Sequence, residues 1–114
     1  MISCEPTKRG DQVKVTFALP DGLVTGPVAV VGDFNGWNPG ANPMKLKGEA
    51  RVVSLTLNAG RKYRFRYLQE GGRWLNDPNA HGVERNHFGD EDSVIDLTDT
   101  SQFQSDDGGA GRQN

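Results

Sequence analysis

Hydrophobic residues recur every second position over several short stretches of this chain, and none recurs at helical spacing over ten residues or more. In "DQVKVTFALP" (residues 11–20), Val13, Val15, Phe17 and Leu19 alternate with Lys14, Thr16 and Ala18, the pattern of a strand with one face buried. "PVAVVGDF" (27–34) is more continuously apolar and predicts a central strand. "ARVVSLTLN" (50–58) returns to alternation, with Val53, Leu55 and Leu57 on one face, and a short "PMKLK" strand (43–47) precedes it. In "RKYRFRYLQEGGRWLND" (61–77), Tyr63, Phe65 and Tyr67 share one face, while Lys62, Arg64 and Arg66 share the other. The aromatic face predicts core, and the basic face predicts solvent or ligand.

Turn chemistry divides these strands. Pro20-Asp21-Gly22 reverses the chain, Gly71-Gly72 permits a tight hairpin into a short strand carrying Trp74, and Asp77-Pro78 opens a long loop before "SVIDLT" (93–98). Turn signals about every 8 to 12 residues mark a sandwich of short strands. The expected fold class is therefore all-β: an antiparallel β-sandwich spanning residues 12–98. A flexible segment is expected before it (1–11), and a disordered acidic, glycine-rich tail after it (99–114). No internal repeat is visible.

Composition narrows the picture. The 114 residues suffice for one core, and 15 glycines with 34% hydrophobic residues suit two thin packed sheets better than a helix bundle. No apolar run approaches the roughly 20 residues of a membrane-spanning helix. The N-terminal "MISCEPTKRGDQ" has no apolar signal core, so a cytoplasmic location without membrane attachment is expected. Cys4 stands alone and reads as an inert thiol. A net charge of −2 gives no general reason to expect a polyanion.

Three constellations bear on chemistry. Trp37 and Trp74 lie in or beside turns, each with an Asn within two residues, and Arg64 projects outward on a strand between them. An indole offers a flat apolar face to the C–H face of a pyranose, and a guanidinium offers donors to its hydroxyls; two rings and a cation thus make a sugar site. The alternative is that both tryptophans cap the ends of the core. Asp90, Glu91 and Asp92, with Glu70, Asp77 and Glu84 elsewhere, lack the separation that glycoside hydrolysis needs and the spacing of a calcium loop; they read as a solvated acidic turn. His81 and His87 match no zinc spacing and read as surface residues. No metal, cofactor or catalytic residue is expected. Single-stranded nucleic acid fits poorly, because on "RKYRFRY" the cations and the aromatics occupy opposite faces.

Three blocks, "VAVVGDFNGW", "KYRFRYLQEGGRWLNDP" and "FGDEDSVIDL", together resemble the early-set, immunoglobulin-like domain at the N-terminus of isoamylases and glycogen branching enzymes. The same module, carbohydrate-binding module family 48, is the glycogen-binding domain of the AMP-activated protein kinase beta subunit. The likeness runs over about residues 12 to 98. It implies an immunoglobulin-like sandwich that binds α-1,4-linked glucans such as glycogen or starch. Trp37 stands where the family's "G-x-F-N-x-W" tryptophan stacks on glucose, and Arg64 stands where a basic residue bonds sugar hydroxyls. Trp74 matches the tryptophan after the hairpin, reached through the slightly longer turn "QEGGRW", and Phe88 stands near a leucine that enters the glucan helix. Asp92 aligns with an asparagine, a departure with a chemical consequence: a carboxylate accepts hydrogen bonds but has no amide to donate. The resemblance implies a non-catalytic module, since 114 residues are too few for the family's catalytic barrel. It also implies an alternative, docking on a glucan-metabolising enzyme or a kinase subunit without sugar.

Overall fold

A computed structural model describes residues 2–20 and 26–103. Its nine strands are β1 (Ile2–Pro6), β2 (Gln12–Leu19), β3 (Val28–Gly32), β4 (Lys45–Lys47), β5 (Ala50–Asn58), β6 (Lys62–Gln69), β7 (Arg73–Leu75), β8 (Gly82–Arg85) and β9 (Glu91–Asp96). They form two antiparallel sheets: β1-β2-β5-β4, and β3-β6-β9-β8 with β7 pairing on β6. Four strands in this order facing a β3-β6-β9 sheet is the arrangement of an immunoglobulin-like sandwich, here extended by β7 and β8.

The period-two pattern sets the register. Val13 pairs with Leu57, Val15 with Leu55 and Phe17 with Val53 across β2 and β5, so one row of apolar side chains faces inward. From the opposite sheet Val30, Tyr63, Phe65, Tyr67 and Ile95 meet them, all buried. Phe17 packs edge-on against Phe65 with ring centroids 5.2 Å apart, and Phe65 against Tyr67 at 5.6 Å. Each such ring, fully buried, contributes about 1.5–3 kcal/mol from the surface it removes from water. The core is complete without either tryptophan.

Four expectations need correction. The lead-in expected to be flexible forms β1, because Ile2 and Cys4 lie opposite Phe17 and Val15 and pack on the core. Pro6 ends this edge strand, a place where a missing N–H costs no ladder bond. Burial pushes the Cys4 thiol up to about 11, in keeping with an inert thiol. The strand expected to be central, β3, ends its sheet's order. All five of its residues are nonetheless buried, because residues 42–44 cover its outer edge: Val30 N–H donates to the Asn42 carbonyl at 3.1 Å and Met44 N–H to the Val28 carbonyl at 2.9 Å.

The long loop after Asp77 contains β8, whose four residues pair with β9 from Gly82 opposite Val94 to Arg85 opposite Glu91. Ordered structure also continues past residue 98. Asp99 caps a 3-10 turn over Thr100–Gln102, and Phe103 stacks on His81 with centroids 5.8 Å apart. The remainder of the expected disordered tail, and the Asp21-Gly22 part of the first turn, lie outside the described residues.

Candidate functional site

The segment after β3 is a loop tied down by its own side chains, and it carries Trp37. Asn35 accepts from Gly32 N–H at 3.1 Å, while its amide donates to the Val30 carbonyl at 3.1 Å and to Asn42 Oδ1 at 2.7 Å. Phe34 turns inward against Phe17 and Tyr63, centroids 5.8 and 6.2 Å away. Gly32 allows this loop to lie close on β6: a Cβ there would sit 2.4 Å from the Arg64 carbonyl oxygen and 3.0 Å from the Phe34 ring. Gly36 and Trp37 then both adopt left-handed backbone, φ 66° and 61°. Trp37 alone among the described non-glycine residues does so, and Trp37 N–H closes the loop on the Gly32 carbonyl at 2.9 Å. Such a conformation costs a residue with a side chain about 1–2 kcal/mol.

One carboxylate fixes the indole to the sheet. Asp33 Oδ1 accepts from Trp37 Nε1–H at 3.0 Å, and its Oδ2 accepts from the Arg64 backbone N–H at 2.8 Å. The Arg64 side chain lies on the outer face of β6 and donates through Nε to Glu84 Oε1 on β8 at 3.0 Å. Two residues further along the same face is Arg66. Its guanidinium carbon sits 5.7 Å from the centre of the Trp74 ring, and Trp74 is held on β7, whose backbone pairs it with Leu68. Trp74 is 43% exposed. A cation at that distance attracts an indole face and keeps it oriented.

The far wall comes from the segment between β8 and β9. Asn86 Oδ1 accepts from the backbone N–H groups of Phe88 and Asp90, at 2.9 and 3.1 Å, which bends the chain around its side chain. Phe88 projects from the bend 85% exposed, beside His87 at 5.4 Å between ring centroids. Asn86 Nδ2 donates to Asp92 Oδ1 at 3.2 Å. Asp92 is 4% exposed, so the expected solvated turn does not extend to it.

Trp37, Arg64, Trp74, Phe88 and Asp92, the five residues singled out from the sequence, thus line one concavity of about 500 Å³ on the outer face of the β3-β6-β9-β8 sheet. Asp33, Arg66, Asn86, His87 and Asp90 complete it. The alternation of β6 had already put Arg66 on the outward face with Arg64. Asp33, which braces two of the other residues, carried no signal in the sequence because its role depends on the fold of the loop around it. Chemically the site offers flat apolar rings, guanidinium and amide donors, and carboxylate acceptors, with cations and anions interleaved. This combination suits a neutral ligand having an apolar face and a rim of hydroxyls.

No family model matches the chain. Over 63 residues it is 38% identical to the 1,4-alpha-glucan branching enzyme GlgB of Paramagnetospirillum magneticum, a match covering 50% of this chain and 8% of that enzyme. It is 40% identical over 63 residues to the branching enzyme GlgB 2 of Rhizobium etli, with 50% and 9% covered. To GlgB 2 of Xanthomonas campestris pv. campestris it is 39% identical over 61 residues, with 50% and 8% covered. The chain therefore spans less than a tenth of the length of these curated relatives. Among the described residues no helix is long and apolar enough to cross a membrane.

Proposed function

We propose that this protein is a non-catalytic module that binds α-1,4-linked glucan, of the early-set type that carbohydrate-binding module family 48 comprises. Trp37 and Trp74 are its stacking platforms, Arg64 donates to sugar hydroxyls, Phe88 contacts the chain at the rim, and Asp92 accepts from a hydroxyl. The observation that carries this reading is the meeting of both tryptophans and two arginines in one concavity, although they arise from three different segments of the chain. Similarity to a small part of several branching enzymes supports the same ligand class. A concave site also favours a sugar over a docked protein, for which a flat apolar patch is the better fit.

By analogy with base stacking, each ring contributes about 1–3 kcal/mol. After the losses of association this corresponds to micromolar to millimolar affinity. Titration with maltoheptaose should give a saturable change in tryptophan fluorescence, since both tryptophans of the chain line the site and no other indole dilutes the signal. A flat titration at millimolar sugar overturns the proposal.

A further inference from the structure

Arg66 differs from Arg64 in one respect that bears on the ligand. Arg64 is partnered by Glu84 at hydrogen-bond distance, whereas the buried Nε of Arg66 has no hydrogen-bond partner among the described residues. Asp92 Oδ1 is 3.8 Å from it, an ion pair too long to be a hydrogen bond. The two residues lie just beyond the last pair of the β6–β9 ladder, Phe65 opposite Ser93. Asp92 Oδ1 accepts from Asn86, and Trp74 lies against the guanidinium. An unpaired buried donor on an ionised group is costly, and because Nε is closed off, it is the outer nitrogens of the fork that can meet a ligand in the concavity that Arg66 lines.

We propose that Arg66 is a ligand-contacting, specificity-determining residue of the glucan site, acting with Asp92 as a matched donor and acceptor on its floor. The guanidinium donates to one sugar hydroxyl and the carboxylate accepts from the neighbouring one. Asp92, lacking an amide, cannot fill both roles, and Arg66 supplies the donor. The pair is neutral overall, so the floor selects an uncharged polyol. A glucopyranose presents adjacent hydroxyls along the rim of the face that an indole covers, and Trp74 is the indole next to this pair. The inference rests on the glucan-binding reading above.

Two variants test it with maltoheptaose as the probe, read by tryptophan fluorescence and by thermal melting. Arg66→Lys keeps a cation beside Asp92 but loses the planar fork of donors. Arg66→Met combined with Asp92→Leu removes both charges at once, leaves no buried carboxylate alone and puts no amide in its place. Each is expected to bind about tenfold more weakly, the worth of a hydrogen bond to a charged group, while melting within a few degrees of the parent. Wild-type affinity in Arg66→Lys would show that Arg66 only balances Asp92, and wild-type affinity in the double variant would show that neither group touches sugar; both results overturn the inference. If the parent binds and Trp37 substitution abolishes binding while both Arg66 variants bind fully, the assignment of Arg66 alone falls. If the parent itself does not bind maltoheptaose, the glucan reading falls and this inference with it.

Discussion

Trp37→Gly is expected to weaken maltoheptaose binding roughly ten- to a hundredfold and to leave the thermal midpoint close to that of the parent. The first part follows from losing one of two stacking rings, at about 1–3 kcal/mol per ring. The second follows from the backbone. Trp37 sits at φ 61°, which glycine adopts freely and other residues do not. Removing the side chain relieves about 1–2 kcal/mol of strain. That offsets what the half-buried ring and its 3.0 Å bond to Asp33 contribute, a typical hydrogen bond being worth about 1 kcal/mol.

Trp37→Ala makes the argument sharper. It loses the same ring but keeps a Cβ in left-handed backbone, so it should be the less stable of the two by about 1 kcal/mol. Alanine normally outranks glycine, and an inverted order, measured by denaturant melts, would tie the strain to the tryptophan. Strain kept at a residue that the core does not need fits the proposed presentation of the ring to a ligand. Marked destabilisation of both variants would instead make Trp37 a core cap.

Much of this was legible in the sequence because strands announce themselves locally. The alternation of β2, β5 and β6 gave their inward faces, and the aromatics of β6 supplied enough core to leave the tryptophans for other work. Elements held in place by a neighbour were not legible. β1 has two inward residues and a proline, and β8 is Gly-Val-Glu-Arg. Neither has a pattern of its own, and each is a strand because β2 or β9 offers it an edge. The site divides in the same way. Rings and outward cations could be read from composition and period, whereas Asp33 and the Arg66–Asp92 pair depend on register between segments far apart in sequence. Asp77 is the clearest case: it read as one carboxylate at a loop start, yet it is 3% exposed and bonded to the largest fully buried side chain.

That bond carries the second large effect. Tyr67 OH donates to Asp77 Oδ2 at 2.6 Å inside the sandwich, and Asp77 is held in turn by Asn79 N–H on Oδ1 at 2.7 Å and by its own N–H to Ser93 Oγ at 2.9 Å. Tyr67→Phe leaves the phenyl packing intact but deprives a buried carboxylate of a donor. The expected cost is about 2 kcal/mol, or roughly 10 °C in the midpoint of a domain this size, with sugar affinity unchanged. Alkaline pH probes the same group. Burial, and then the bond to and the charge of Asp77, push the Tyr67 hydroxyl far above its ordinary value of 10.0. The folded state therefore holds a proton that the unfolded state releases. This contribution to stability is complete below pH 10 and is lost as pH rises beyond it, at about 1.4 kcal/mol per pH unit for one proton. Other groups titrate in the same range, but subtraction of the Tyr67→Phe profile isolates this slope. Parallel profiles for the two proteins above pH 10 would mean that the Tyr67 hydroxyl ionises as readily in the folded chain as in the unfolded one, and the bond to Asp77 would not hold its proton.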